Sequence, residues 1–196
     1  MKTAIALAAA LTLAAAAAQA QTYSFASGLE PEVPGATGDG AVLVRFDVGA
    51  QTLEIATIFF GLSGTTTVAH IHCCTATPFT GTVGVAVTPG TLPGFPVDVT
   101  FGKYETTLDL TQTSTYTQAF MNTFGGGTAA GASTALLAGL NNGTAYFNIH
   151  STTFPPGEIR GFLVPVPEPT TWALMGLGLA AVGAWTRRRG GAMAAA

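Results

Sequence analysis

The sequence predicts an all-β, sandwich-like domain with a short helical insertion, followed by a C-terminal membrane-crossing helix. Three observations carry this expectation. Apolar residues alternate with period two on both sides of a Gly-containing connection between 41 and 62. The stretch 21–163 is rich in Thr, Gly, Val and Ala, residues that suit strands and tight turns more than long helices. Between 116 and 124 the aromatic spacing changes to four, the mark of one helical face.

Taken in order, AVLVRFDV (41–48) places Val42, Val44, Phe46 and Val48 on one face. Gly49-Ala50-Gln51 then turns the chain into TLEIATIFFGL (52–62), where Leu53, Ile55 and Phe59 share a face, so the pair reads as a hairpin. Ser63-Gly64 is a turn, TTVAHIH (66–72) a third strand, and TVGVAVT (82–88) a fourth that ends at Pro89-Gly90. VDVTF (97–101) and YETTLDL (104–110) read as further short strands. Tyr116, Phe120 and Phe124 then define a helix stopped by Gly125-Gly126-Gly127. Ser133 is the expected N-cap of a second helix carrying Leu136, Leu137 and Leu140, closed by Asn141-Asn142-Gly143. TAYFNIH (144–150) and EIRGFLV (158–164) are the last two strands, joined through Phe154-Pro155-Pro156-Gly157.

The two ends follow a different grammar. Lys2, an apolar run from Thr3 to Ala18 and the small residues of Ala18-Gln19-Ala20 predict a secretory signal peptide over 1–20, removed by signal peptidase. The folded domain is then expected over 21–163, a linker over 164–170, a membrane helix over 171–186 and a basic tail over 187–196. From Thr170 to Trp185 is 16 residues, about 24 Å of helix, a short span for a bilayer core of about 30 Å. Pro167-Glu168-Pro169, the Gly/Ala/Leu stretch and Arg187-Arg188-Arg189 together resemble the PEP-CTERM sorting signal. That resemblance implies processing by an exosortase in a Gram-negative bacterium that makes extracellular polysaccharide. It places the protein in the membrane by its C-terminus first, and then at the cell surface or outside it.

Within 21–163 three residues are basic (Arg45, Lys103, Arg160) and nine acidic (Glu30, Glu32, Asp39, Asp47, Glu54, Asp98, Glu105, Asp109, Glu158), a balance of 3 − 9 = −6. No basic patch exists to neutralise phosphates, which argues against nucleic-acid binding.

All three histidines fall on two strand patterns. Alternation puts Val68, His70, His72 and Cys74 on one face of their strand, opposite Ala69, Ile71 and Cys73. In the later strand Tyr146, Asn148 and His150 oppose Ala145, Phe147 and Ile149. If the two strands are neighbours, the three imidazoles meet. His-x-His with a third histidine suits copper or zinc, both of which accept imidazole nitrogen, with Cys74 as a soft fourth ligand. The other reading is a hydrogen-bonded polar network of the same histidines with Asn148, Glu158 and Arg160, pinning the hairpin and its loop. No nucleophile elbow is present, so no catalytic residue is assigned. Cys73 and Cys74 at the 3.8 Å spacing of a trans peptide fall short of the usual disulfide range of about 4.4–6.8 Å. That leaves a vicinal disulfide, a bridge between protomers, metal ligation, or two inert thiols.

Ala69-His70-Ile71-His72 after a Gly-Leu-Ser-Gly turn, Ala145 to His150, and Pro156-Gly157-Glu158-Ile159-Arg160-Gly161 together resemble the CHRD domain over roughly 23–163. The resemblance implies an immunoglobulin-like or superoxide-dismutase-like sandwich. Its motif positions fall on His70, His72, Asn148, His150, Gly157, Glu158, Arg160 and Gly161. Cys73-Cys74 departs from the small residues usual there. Two functions follow as expectations. One is an exported, non-enzymatic surface or biofilm-matrix protein whose partners are polysaccharide or other surface proteins. The other is a copper- or zinc-binding domain using His70, His72 and His150, with redox activity as an extension of that reading.

Overall fold

The computed structural model describes residues 21–167 and 176–179. The chain divides into two compact units, up to Pro165 and from Val166 onward. Among the described residues the first unit contains nine strands: β1 (Thr22–Pro31), β2 (Asp39–Asp47), β3 (Thr52–Phe60), β4 (Thr66–His72), β5 (Val85–Val87), β6 (Gly102–Asp109), β7 (Tyr146–Ser151), β8 (Ile159–Phe162) and β9 (Val164–Pro165). Two helices, α1 (Gln118–Phe124) and α2 (Ala129–Asn141), are inserted between β6 and β7.

All strand pairs are antiparallel, in the order β5-β4-β7-β8-β1-β2-β3-β6, with β9 beside β1. The expected antiparallel β domain with a helical insertion is present, but the strands follow one curled path, a half-barrel. β1 makes this continuous. Its first part pairs with β2 and β9, and its end pairs with β8 through Glu30 opposite Arg160.

Alternation sets which side faces inward. Phe25 lies opposite Val44 and Val44 opposite Ile55, while Phe46 lies opposite Leu53 and Leu53 opposite Leu108. All are buried, together with Ile71, Phe147, Ile149 and Ile159 from the other half of the sheet. Each such side chain is worth about 1.5–3 kcal/mol when removed from water.

Several local expectations are corrected. β1 carries too sparse an apolar pattern to have been assigned. Residues 97–101 are not a strand, and the 82–88 strand is only the three residues of β5. Tyr116 precedes α1, whose N-cap is Thr117, yet the aromatic row holds: Phe120 lies 6.3 Å from Tyr116 and 5.4 Å from Phe124, ring centre to ring centre. α2 starts at Ala129, capped by the Thr128 hydroxyl accepting from the Gly131 N–H, and Ser133 is buried inside it. The asparagine-glycine stop is present, with Asn142 as C-cap and Gly143 at φ 68°.

The expected signal peptide (1–20), Glu168, Pro169, Arg187, Arg188, Arg189 and nearly all of the expected membrane helix (171–186) lie outside the described residues. Gly176–Leu179 is helical, and among the described residues no helix is long and apolar enough to cross a membrane.

Candidate metal centre

β4 and β7 are neighbours, and their register sets Val68 opposite His150, His70 opposite Asn148 and His72 opposite Tyr146. Opposed residues share a face. The three histidines therefore lie on one side of the sheet and Ala69, Ile71, Phe147 and Ile149 on the other, in the core. The histidine side is covered by the long connections flanking β5 and by the Pro155–Gly157 turn, so His70 and His72 are buried.

Those connections decide where the imidazole protons sit. His72 Nδ1 donates to the Val83 carbonyl at 2.8 Å, and His150 Nδ1 donates to the Pro155 carbonyl at 2.8 Å. His70 Nε2 donates to the Gly90 carbonyl. A carbonyl oxygen only accepts, so each contacted nitrogen carries the hydrogen and the other nitrogen of a neutral ring is a bare lone pair. The bare atoms are His70 Nδ1, His72 Nε2 and His150 Nε2. One ligand atom from each histidine can be chosen so that all three lie within 4.8 Å of one another. With all three rings neutral, His70 Nδ1 and His150 Nε2, 3.4 Å apart, have no hydrogen to share, and His72 Nε2 is buried without a partner.

Burial holds His70 and His72 in the neutral form this requires. Burial lowers the pKa of His72 to about 4, opposed by its bond to Val83 and helped by nearby His70, His150 and Arg160. Burial also lowers that of His70, against its bond to Gly90, and His150 adds to the lowering.

Three imidazole nitrogens are donors of a type that copper and zinc accept, and the His70–His150 pair stands at 3.4 Å. Imidazole nitrogens about 2.0–2.1 Å from one tetrahedral ion stand roughly 3.4 Å apart. Metal-binding histidines ordinarily anchor their second N–H on a carbonyl or carboxylate, as all three do here.

Cys74 does not join them. It is bonded to Cys73 as a vicinal disulfide, with its sulfur against the Ala135 carbonyl of α2. The peptide between the two cysteines is cis, so the trans spacing assumed from sequence does not apply. Among the described residues no free thiol is available as a ligand.

The polar residues beside the histidines divide into two groups. Asn148 Nδ2 donates to Glu32 Oε2, and Arg160 pairs with Glu32 Oε1 at 3.2 Å. The Arg160 guanidinium lies 5.1 Å from the Tyr146 ring centre, and Tyr146 stacks on His72 at 4.7 Å and 4°. Glu158 is separate and fully buried. Its carboxylate accepts from the Ser63 N–H at 2.6 Å and the Ser63 hydroxyl at 2.7 Å, fixing the turn before β4. Burial raises its pKa, but bonds from Ser151, Ser63 and the Gly64 N–H outweigh that and hold it below the usual range. Glu158 and Arg160 thus belong to different networks. Glu32, counted among the acidic residues but not singled out as a site residue from sequence, is the hub of one of them.

The family model of the CHRD domain matches residues 22–163, and that of the PEP-CTERM protein-sorting motif matches 165–189. No curated protein and no solved structure matches the chain.

Proposed function

We propose, for a chain that belongs to the CHRD-domain family and carries a PEP-CTERM sorting motif directly behind that domain, a non-enzymatic surface role built on metal binding. The sorting motif implies export and processing by an exosortase. In this reading the domain then stays at the cell surface or in the extracellular matrix and holds one copper or zinc ion on His70 Nδ1, His72 Nε2 and His150 Nε2. The observation that supports it is the convergence of three lone pairs whose partner N–H groups are each anchored on a backbone carbonyl. Burial works against the charged form of His70 and of His72, so neither ring is disposed to place a proton between them.

The test is metal analysis of untagged mature protein offered copper or zinc and then desalted. Near-stoichiometric metal, lost in both His72→Ala and His150→Ala, supports the reading. Metal-free protein with an unchanged melting temperature in either ion contradicts it. Surface fractionation of a strain lacking residues 165–189 tests delivery separately.

A further inference from the structure

We infer that this protein pairs with a second copy of itself through the free edge of β6, independently of any metal. β6 ends the strand order beyond β3. Among the described residues, Lys103 to Leu108 make no backbone hydrogen bond outside their pairing with β3. The edge from Lys103 to Leu108 is therefore available, while the Asp109 carbonyl is taken by the Gln112 N–H and the Thr115 hydroxyl.

The sequence of that edge is complementary to itself. Lys103, Glu105, Thr107 and Asp109 point to the outer face, while Tyr104 and Leu108 are buried on the inner one. In an antiparallel pair with Thr106 on the two-fold axis, each Lys103 faces the other copy's Asp109. Glu105 then faces Thr107, and Tyr104 faces Leu108, which continues the core across the junction. Sliding by two residues one way sets Glu105 against Glu105, and the other way sets Glu105 against Asp109. Sliding by one residue turns inner positions outward. Like charges directly opposed disfavour both neighbouring registers.

A lysine on an edge strand normally discourages pairing. Here the answering carboxylate sits on the same strand at the symmetry-related position. Asp109 is also held in the charged form by bonds from the Thr111 hydroxyl, the Thr111 N–H and Gln112. Among the described residues neither Lys103 nor Asp109 has an ion-pair partner within its own chain. Phe101, 71 % exposed just before β6, would lie opposite Thr111 and gain cover.

The mature protein should sediment as a concentration-dependent dimer. Lys103→Asp and Asp109→Lys should each raise the dissociation constant about tenfold, and the double exchange should restore it. Both side chains are exposed, and Lys103→Asp leaves all local bonds in place; Asp109→Lys gives up the bonds from Thr111 and Gln112, so its fold is checked by melting temperature. Thr106→Cys gives an independent readout. Directly opposed Cα atoms in an antiparallel pair are about 4.5–5.5 Å apart, within disulfide range. The native cysteines are already bonded to each other, so mild oxidation should yield a covalent dimer through position 106. A monomer at about 100 µM, a double exchange that fails to restore pairing, or a Thr106→Cys variant that stays uncrosslinked would overturn the inference.

Discussion

Burial of His72 makes the metal-free domain acid-sensitive in a defined window. In the folded protein its pKa is lowered to about 4, whereas an unfolded histidine titrates near 6.5. Between those values the unfolded chain binds the extra proton and the folded chain does not, so stability rises with pH across the window and falls on acidification. The gap corresponds to on the order of 3 kcal/mol, present in full above pH 6.5 and lost by pH 4. For a domain of this size that is roughly 10 °C in melting temperature. The perturbation is His72→Phe, which keeps an aromatic ring against Tyr146 and removes the titrating group. The assay is urea unfolding in chelator at pH values from 7 to 4, read as the difference between the two proteins. Carboxylates contribute equally to both and cancel. A difference that shrinks by about 2–3 kcal/mol on acidification is expected; a flat one refutes the argument that His72 is buried and neutral.

Other consequences follow from single contacts. A Cβ on Gly139 would stand 2.2 Å from Cys73 Sγ and 2.7 Å from Cys74 Sγ, so Gly139→Ala should destabilise by about 1–3 kcal/mol in urea unfolding while Gly84→Ala, with open space around it, changes little. Glu158→Gln leaves the Ser63 N–H and hydroxyl facing a weaker acceptor and should cost about 1–3 kcal/mol, with faster amide exchange at Ser63 and Gly64. Phe147→Ala removes a fully buried ring from β7, an interior strand, and should cost about 3–5 kcal/mol in urea unfolding. Arg45→Ala breaks only an exposed pair with Glu54, so the unfolding midpoint should stay where it is.

What the sequence discloses here depends on how local each cause is. The β2–β3 hairpin was legible because Val42, Val44 and Phe46 repeat with period two up to a turn, and that period alone fixes the buried face. The histidine face was legible for the same reason: alternation in β4 and β7 separates imidazoles from core residues before any pairing is known. β1 was not, since TYSFASGLEP buries only Phe25 and Leu29, too few to announce a strand. The carbonyls of Val83, Gly90 and Pro155, which set the proton positions, come from irregular backbone that no side-chain pattern encodes. Glu32 reaches Asn148 across 116 residues of sequence and leaves no local trace. Of the four readings of Cys73-Cys74 the structure has the vicinal disulfide, which removes Cys74 as a ligand.

The account depends most on which ring nitrogens carry hydrogen. Long-range proton–nitrogen NMR of the metal-free protein at pH 7 reads this directly for each histidine. His70 as the Nε2–H form, with His72 and His150 as Nδ1–H forms, is the predicted result. A hydrogen on any inward nitrogen, including a doubly protonated His150 donating to His70 Nδ1, would contradict it and leave a polar brace in place of a metal site.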